Sequence, residues 1–173
     1  MLSLSDNEFS VINFLVRNFH ERLTIRNIAQ RLKFSPAGVF NILKKLEKEN
    51  IVIGEKLGTG LFYKINFENK ISVNLSQIVL LYSEEKIGDI NIEKLKGANV
   101  AILNKKILLL ITDNVTTLDV SIENFNIITK TEDEIITLFR KKDAEMFEIL
   151  KNGIVLFGED RIIEIIKNCI SRF

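Results

Sequence analysis

The stretch Phe34-Ser-Pro-Ala-Gly-Val-Phe-Asn-Ile-Leu-Lys-Lys-Leu-Glu-Lys-Glu49 decides the fold of the first part of the chain. It begins with a serine in an N-cap position and a proline at the first helical position, which are two strong helix-start signals. Val39, Leu43 and Leu46 then recur at helical spacing and form one apolar stripe. The spacing therefore predicts an amphipathic helix over residues 35–49.

The opposite face of this helix carries an amide and amines but no acid. At about 100° per residue, Ala37, Asn41, Lys44 and Lys48 fall on that face, with Lys45 at its flank. Amines suit DNA phosphates, and an amide can pair with an adenine edge in the major groove. The same composition also fits a face that only meets solvent, so the neighbouring segments have to decide between the two.

Three shorter elements precede this helix. Ser5 followed by Glu8 matches a capping box, and the apolar pattern over 9–19 predicts a first helix. Residues 23–25 are a short β-prone piece, and residues 26–32 predict a second helix. The order is therefore helix, short strand, helix, brief turn, helix.

A hairpin is predicted directly behind the third helix. Two β-prone runs, 51–57 and 61–67, are joined through Gly58-Thr59-Gly60. A glycine-bearing turn between two such runs is typical of a β-hairpin. A hairpin in this place is the wing of a winged helix-turn-helix.

Over about residues 5–67 the chain resembles the winged helix-turn-helix family of bacterial and archaeal transcription regulators. The residues that carry this resemblance are Leu23-Thr-Ile-Arg-Asn-Ile-Ala-Gln-Arg-Leu32, Phe34-Ser-Pro-Ala-Gly-Val-Phe40, Leu43-Lys-Lys-Leu46, Asn50-Ile51-Val52 and the Gly58/Gly60 hairpin. In that family the second helix of the motif enters the major groove and the wing lies against the backbone or the minor groove. The resemblance implies that the protein binds double-stranded DNA and forms a homodimer. It also allows for a small-molecule effector, whose identity the sequence does not reveal.

The resemblance also implies which residues contact DNA. They lie on the supporting helix, on the groove-reading helix and on the wing. Carried over by position, they are Arg26, Arg31, Ser35, Ala37, Asn41, Lys44, Lys45, Lys48, Lys56, Thr59 and Lys64. A winged helix used only for contact with another protein is the alternative.

Charge is unevenly placed along the chain. The net charge is +1, yet residues 1–70 hold 11 of the 24 Lys and Arg and only 7 of the 23 Asp and Glu. The basic excess therefore coincides with the predicted groove-reading helix, as expected for nucleic-acid binding.

Composition limits the other function classes. A lone cysteine, Cys169, and a single histidine, His20, cannot form an internal disulfide or a structural zinc site. The sequence has no apolar run of membrane-span length and no leader pattern at its start, which predicts a cytoplasmic protein without membrane contact. It also has no phosphate loop, nucleophile elbow or metal-spaced His/Cys set, so no catalytic residue, cofactor or metal is predicted.

The second half predicts a small α/β domain, which makes the whole chain α+β. The predicted domains are a winged helix-turn-helix over 1–70, a connecting helix and linker over 71–89, and the α/β domain over 90–173. Residues 71–82 start β-prone, and Asn74 or Ser76 is then predicted to cap a short helix that runs to Tyr82. Beyond them the pattern predicts helices over 90–96, over 131–151 and from an Asp160 cap to the end, and strands over 100–103, 107–112, 117–122 and 154–157.

Residues 148–160, Glu148-Ile-Leu-Lys-Asn-Gly-Ile-Val-Leu-Phe-Gly-Glu-Asp160, are similar to the closing segment of small archaeal nucleotidyltransferase-like domains. The resemblance implies that the strand with Asp119 matches the one that carries the third catalytic carboxylate in active members. Active members also need a Gly-Ser turn and an Asp-x-Asp pair for a divalent metal, and neither occurs in this chain. The second half is therefore interpreted as a reduced, inactive domain for dimerisation or effector sensing.

Two hypotheses from other classes remain beside the DNA-binding regulator. One is a divergent metal-dependent nucleotidyltransferase, against which the missing Asp-x-Asp pair argues. The other is an antitoxin-like module that binds another protein rather than DNA.

Overall fold

The structure, a computed structural model, describes residues 4–82, 90, 92–114 and 120–170. The chain divides into two compact units, Met1–Val79 and Leu80–Phe173. The division falls inside the predicted connecting segment, while the predicted bounds 1–70, 71–89 and 90–173 stay a prediction.

Three helices build the first unit, and each begins where the sequence places a capping residue. They are α1 (Asp6–Arg17), α2 (Ile25–Leu32) and α3 (Pro36–Lys48). Ser5, Thr24 and Ser35 are their N-caps, and each side chain accepts a hydrogen bond from a backbone N–H in the first turn. Lys33 makes the turn between α2 and α3 with a left-handed φ of 58°. The prediction of three helices in this order is confirmed.

The predicted wing is a two-stranded antiparallel hairpin of β1 (Val52–Leu57) and β2 (Gly60–Ile65). Gly58 opens its two-residue turn with φ of 60°, a backbone conformation that glycine adopts without steric cost. The short β-prone piece before α2 also finds a partner, because the Tyr63 N–H donates to the Leu23 carbonyl at 2.9 Å.

The segment after the wing differs from its prediction. Residues 70–81 form one helix, α4 (Lys70–Leu81), with no β-like start. Asn69 supplies the start signal that the prediction overlooked, since its side-chain oxygen accepts a hydrogen bond from the Ile71 N–H at 2.9 Å. The expected cap at Asn74 or Ser76 is therefore wrong.

A four-stranded mixed sheet forms the centre of the second unit. Its strands are β3 (Val100–Asn104), β4 (Ile107–Ile111), β5 (Asn126–Lys130) and β6 (Ile154–Phe157), in the order β5-β4-β3-β6. β3 pairs antiparallel with β4 and with β6, whereas β4 pairs parallel with β5. The predicted strands over 100–103, 107–112 and 154–157 are confirmed.

Three helices complete the second unit: α5 (Glu132–Arg140), α6 (Ala144–Asn152) and α7 (Glu159–Ile170). They pack against one face of the sheet, where apolar side chains of both layers line a narrow gap, namely Ile102, Leu109, Ile111, Ile135, Phe139, Met146, Leu150, Ile162 and Ile165. The other face holds a second apolar cluster, Leu95, Ala101, Leu103, Leu108 and Leu110. The mixed α and β class predicted for the chain is thus confirmed, without confirming a nucleotidyltransferase-like fold.

Several predictions for the second half are corrected. The single helix over 131–151 is two helices, because Lys142 takes a left-handed φ of 58° and breaks the chain direction between α5 and α6. Of the third predicted strand, over 117–122, residues 120–122 are not in a strand and residues 117–119 lie outside the described residues, while the strand β5 lies at Asn126–Lys130. The helix over 90–96 is only a 3-10 turn, Ile92–Leu95, and α7 begins before Asp160.

Further predictions concern Asp119, Cys169 and membrane contact. Asp119 and the polar stretch 84–89 lie outside the described residues. Cys169 is buried on α7, and burial raises the pKa of its thiol despite the opposing charge of Arg140. Across the part of the chain that the structure describes, no helix has the length and apolar character needed to cross a bilayer.

Candidate nucleic-acid interface

The apolar stripe of α3 fixes which face of the helix points outward. Val39, Leu43 and Leu46 are fully buried in the first unit. The opposite face is therefore accessible, and it carries Ala37, Asn41, Lys44, Lys45 and Lys48 as exposed residues. The predicted outer face is thus present in the folded unit.

Acidic groups are directed away from this face. Glu47 is the one carboxylate within α3, and its Oε1 accepts a hydrogen bond from the Gly54 N–H of β1 at 3.1 Å. This hydrogen bond links α3 to the wing. It holds the Glu47 carboxylate at the contact between α3 and β1, away from the outer face. Burial, followed by the charge of Glu47, raises the pKa of the nearby Tyr63.

Two of the predicted lysines on α3 have no acidic neighbour. Among the described residues, neither Lys44 nor Lys48 lies within ion-pair distance of a carboxylate. Their amines are therefore available to a negatively charged ligand such as a phosphate.

Lys45 has a different surrounding. Its Nζ lies 2.7 Å from an oxygen of the buried Glu8 carboxylate on α1. Burial alone would raise the pKa of Glu8, but hydrogen bonds from Lys45 and from the Ser5 backbone, with the charge of Lys45, bring that pKa below its ordinary value. Lys45 therefore links α3 to α1.

The two arginines of α2 also differ. Arg26 is exposed at the start of the helix. The Arg31 guanidinium, in contrast, pairs with Glu21, donates to the Asn18 amide oxygen at 2.6 Å and lies over the Phe14 ring. Arg31 thus holds α2 against α1 and the turn that follows it.

The wing presents one amine and one hydroxyl without a described partner. Lys56 and Thr59 are exposed at and near the hairpin turn. Lys64 lies farther down β2, where its Nζ is 2.9 Å from the Glu55 carboxylate of β1. The positive charge of Lys64 is therefore largely compensated within the hairpin.

A hydrogen-bonded junction sets the direction of the wing relative to α3. Asn50 follows α3 with a left-handed φ of 58°, and the Asn66 amide donates to its carbonyl at 3.1 Å and to its side-chain oxygen at 3.0 Å. The Asn69 amide donates to the same carbonyl at 2.9 Å, and Ser72 of α4 donates to the Ile51 carbonyl at 2.9 Å. Four polar side chains thus connect the end of α3, the wing and α4.

One exposed side chain on α3 was not among the predicted contacts. Phe40 is 47% exposed, and the Lys44 Nζ lies 5.9 Å from the centre of its ring. At helical spacing it falls at the edge of the outer face, between Lys44 and Glu47. The helical wheel was the signal that would have placed it there, since Phe40 is not in register with the buried stripe.

In the described part of the second unit, chemistry-bearing groups form no comparable assembly. Within its described part no three His, Cys, Asp or Glu side chains come close enough to hold a metal ion. Asp113 accepts a hydrogen bond from the Asn99 amide at 2.9 Å and lies 3.8 Å from Arg161. These contacts give Asp113 a structural role at the end of β4.

Comparisons with known proteins bear mainly on the first unit. None of the curated proteins matches the chain. One solved structure, that of CymR (YrzC), the global cysteine regulator of B. subtilis, aligns over 56% of this chain and 80% of its own, with 15% identity and a TM-score of 0.35. Residues 2–58 match the model of the MarR family. The N-terminal unit is therefore similar to the winged-helix domain of the MarR family, which supports a DNA-binding transcription regulator.

Proposed function

We propose that this protein is a transcription regulator that binds double-stranded DNA through α3 and the wing. The observation that carries the proposal is the outer face of α3. It combines an exposed amide and two amines without ion pairs among the described residues, and its one acid is turned to the wing. Such a face matches the donors that DNA phosphates and base edges accept.

Within this proposal the exposed residues divide by chemistry. Asn41 and Ala37 lie in the half of α3 that reaches base edges when a recognition helix enters the major groove. Lys44 and Lys48 reach the phosphates beside the groove. Ser35, Arg26, Lys56 and Thr59 contact the backbone from the start of α3, from α2 and from the wing.

Three of the predicted contacts are given a positioning role instead. Lys45, Arg31 and Lys64 already have carboxylate partners inside the first unit. A phosphate contact from any of them requires that pair to break or to be shared. We therefore expect their substitution to act on DNA binding through the placement of α1, α2 and the wing.

The protein binds DNA as a homodimer in this proposal, because two copies double the contacts and fix the spacing of half-sites. The two helices whose apolar faces were candidates for dimerisation differ in exposure. On α7 the apolar residues Ile162, Ile166 and Cys169 are buried within one copy of the chain. On α4, Ile71 and Ile78 lie two turns apart and are 52% and 55% exposed, which favours α4.

Light scattering of the purified chain tests the dimer. The wild type is expected to have twice the mass of one chain at micromolar concentration, and Ile78→Glu is expected to have the mass of one chain. Ile92→Glu, at an exposed isoleucine of the second unit, is expected to keep the dimer if α4 alone forms the interface, and loss of the dimer in this variant would assign the interface to the second unit. A wild type that stays monomeric at all concentrations contradicts this part of the proposal.

The second unit serves dimerisation or effector sensing without catalysis of its own. The lack of an Asp-x-Asp pair and of a Gly-Ser turn in the sequence supports this role. Its nucleotidyltransferase-like ancestry is supported by the closing segment in which α6, β6 and α7 follow one another. Incubation with nucleoside triphosphates and magnesium tests the role, and transfer of a nucleotide to any acceptor would contradict it.

The central experiment measures affinity for the DNA upstream of the protein's own gene across a salt series. We expect Lys44→Ala and Lys48→Ala each to lower the salt slope by about 1 for each lost phosphate contact, hence by about 2 in a dimer. The reason is that each amine on a phosphate releases a bound counterion. Fluorescence anisotropy of a labelled duplex provides the affinities.

Lys151→Ala is the matched control, since it removes an exposed helical lysine of the second unit. It is expected to keep the slope of the wild type. Absence of binding at low salt, or an unchanged slope in both α3 variants, would overturn the proposed function.

A further inference from the structure

Phe40 is an apolar side chain in a face that is otherwise polar. The other apolar residues of α3 at the stripe positions Val39, Leu43 and Leu46 have no exposed surface, whereas Phe40 is 47% exposed. Its ring therefore makes little contribution to the core of the first unit. On a helix proposed to enter the major groove, an exposed apolar ring is able to meet an apolar group of the DNA.

The position of Phe40 on the helix decides what it can reach. It is in the first half of α3, and residues in that half of a recognition helix contact base edges rather than the distant backbone. Ala37, three positions earlier, and Lys44, four positions later, are its neighbours on the side of the outer face. Phe40 therefore lies beside Ala37, which is proposed to read bases.

The ring is also restrained before any ligand arrives. Lys44 lies one turn further along the helix, with its Nζ 5.9 Å from the centre of the Phe40 ring. A cation at this distance attracts the face of an aromatic ring. The pair places an apolar surface next to an amine that is proposed to contact a phosphate.

A phenyl ring has neither a hydrogen-bond donor nor a hydrogen-bond acceptor in its plane. Of the groups that base pairs display in the major groove, only the 5-methyl group of thymine is apolar. We infer that Phe40 contacts a thymine 5-methyl group and makes the protein select thymine at that position of its site. This inference rests on the proposed DNA binding.

The test begins with a duplex enriched from a random pool by the full-length wild type. Each thymine is then replaced in turn by deoxyuridine, which removes the 5-methyl group and leaves base pairing intact. At one or two thymines per half-site the wild type is expected to lose affinity about fourfold, the effect of one buried methyl-sized group. Phe40→Ala is expected to bind the thymine and uracil duplexes equally.

Two variants make the comparison specific. Phe40→Leu keeps an apolar side chain and is expected to retain part of the discrimination. Ile92→Ala removes an equally exposed apolar side chain from the second unit and keeps the full fourfold difference. Thermal unfolding of each variant shows that the fold is retained, as expected for side chains about half exposed.

The outcomes separate the two claims. If no duplex is enriched, the proposed function fails, and this inference fails with it. If the wild type binds an enriched duplex but does not distinguish thymine from uracil at any position, only the role of Phe40 is overturned. Equal discrimination by Phe40→Ala and the wild type has the same meaning.

Discussion

The two units of this chain are stabilised in different ways. Of the eight buried polar residues in the described part, six lie in the first unit, namely Glu8, Arg17, Asn18, Asn66, Ser72 and Ser76. The second unit has Asn104 and Thr112, and every residue of its central strand β3 is buried. The first unit thus adds directional contacts between buried polar groups to its apolar core, whereas the second rests mainly on apolar packing.

This difference has a physical meaning for function. Hydrogen bonds and ion pairs fix angles and distances, whereas apolar contacts tolerate small shifts. The polar contacts of the first unit join α1 to α3 through Glu8, and α3 to the wing and α4 through Asn50 and Asn66. A DNA-reading helix and a wing must keep a fixed relative placement to meet the duplex together. The second unit, with the role proposed for it, has no such requirement.

The largest effect is expected from truncating the apolar core of the second unit. Leu110 is fully buried in β4, and Leu110→Ala removes its packing and leaves a cavity. We expect a loss of about 3 kcal/mol in the free energy of unfolding of this unit. Hydrogen-exchange mass spectrometry of the peptides over 100–111 measures it as faster exchange.

The matched control is Ile92→Ala, at an exposed isoleucine of the same unit. It is expected to change the exchange of these peptides little. Equal effects of the two substitutions would mean that apolar burial does not distinguish the sheet core from its surface.

A polar substitution should matter most in the first unit. Asn66→Ala removes two hydrogen bonds to Asn50 and leaves the carbonyl of that residue with fewer donors. We expect about 2 kcal/mol of destabilisation together with weaker DNA binding, because the wing is no longer fixed to α3. Hydrogen exchange over 50–66 and anisotropy with the DNA duplex measure the two effects.

Asn7→Ala serves as the control, since Asn7 is an exposed amide on α1 of the same unit. It should leave both measurements near the wild type. Wild-type DNA affinity in Asn66→Ala would contradict the positioning role of the junction, whatever its effect on stability.

The elements of the first unit were predictable because their signals are local. Ser5 with Glu8, Ser35 with Pro36 and the turn glycine Gly58 each mark an element boundary within a few residues. The junction was not predictable, since Asn50 and Asn66 are 16 positions apart and meet only in the folded unit. For the same reason Lys45 and Arg31 were predicted as DNA contacts, since their carboxylate partners Glu8 and Glu21 are 37 and 10 positions away along the chain.

The errors in the second half have a related cause. The break between α5 and α6 occurs at Lys142, which takes a left-handed φ. Glycine is the usual residue in this conformation at a helix end, and its absence here left no sequence signal for the break. The strand β5 is short and only half-buried, so its residues show neither a continuous apolar run nor clear alternation. Its pairing with β4 comes from the fold of the whole unit.

Removal of a helix cap should cost the same stability in both units, because a cap is a local contact in either one. Ser35 Oγ accepts from the Gly38 N–H at 3.0 Å, and Thr131 Oγ1 accepts from the Glu134 N–H at 3.2 Å. We expect Ser35→Ala and Thr131→Ala to cost about 1 kcal/mol each in their own units. Calorimetry together with hydrogen exchange of the peptides that follow each cap measures the losses.

The aspartate variants at the same positions supply the control, because aspartate is an equally good N-cap. They should keep the stability of the wild type. A cost at Ser35 several times that at Thr131 would show that the α3 cap is coupled to the rest of the first unit.

The smallest effect concerns the dependence of the first unit on pH. The pKa of Glu8 is lowered from 4.5 in the folded protein, because the hydrogen bonds and charge of Lys45 outweigh burial. A carboxyl whose pKa is lower when folded stabilises the protein above its unfolded pKa, and this contribution is lost as the pH falls through the folded pKa. Since Lys45 is about half exposed, we expect the ion pair to contribute about 0.5 kcal/mol at pH 7.

Glu8→Gln removes the carboxylate but keeps a side chain of the same size. Its destabilisation relative to the wild type, followed by hydrogen exchange over α1 and α3, should be present at pH 7 and shrink as the pH is lowered below about 4.5. Glu134→Gln is the counterpart at the capping box of α5, where the Thr131 backbone hydrogen bond likewise lowers the pKa of the carboxyl. Because the Glu8 pair joins two helices and the Glu134 contacts stay at one helix start, only Glu8→Gln should also change exchange in a second helix. If both variants change hydrogen exchange in a second helix, or neither does, contacts that join two helices do not differ in effect from contacts that cap one helix.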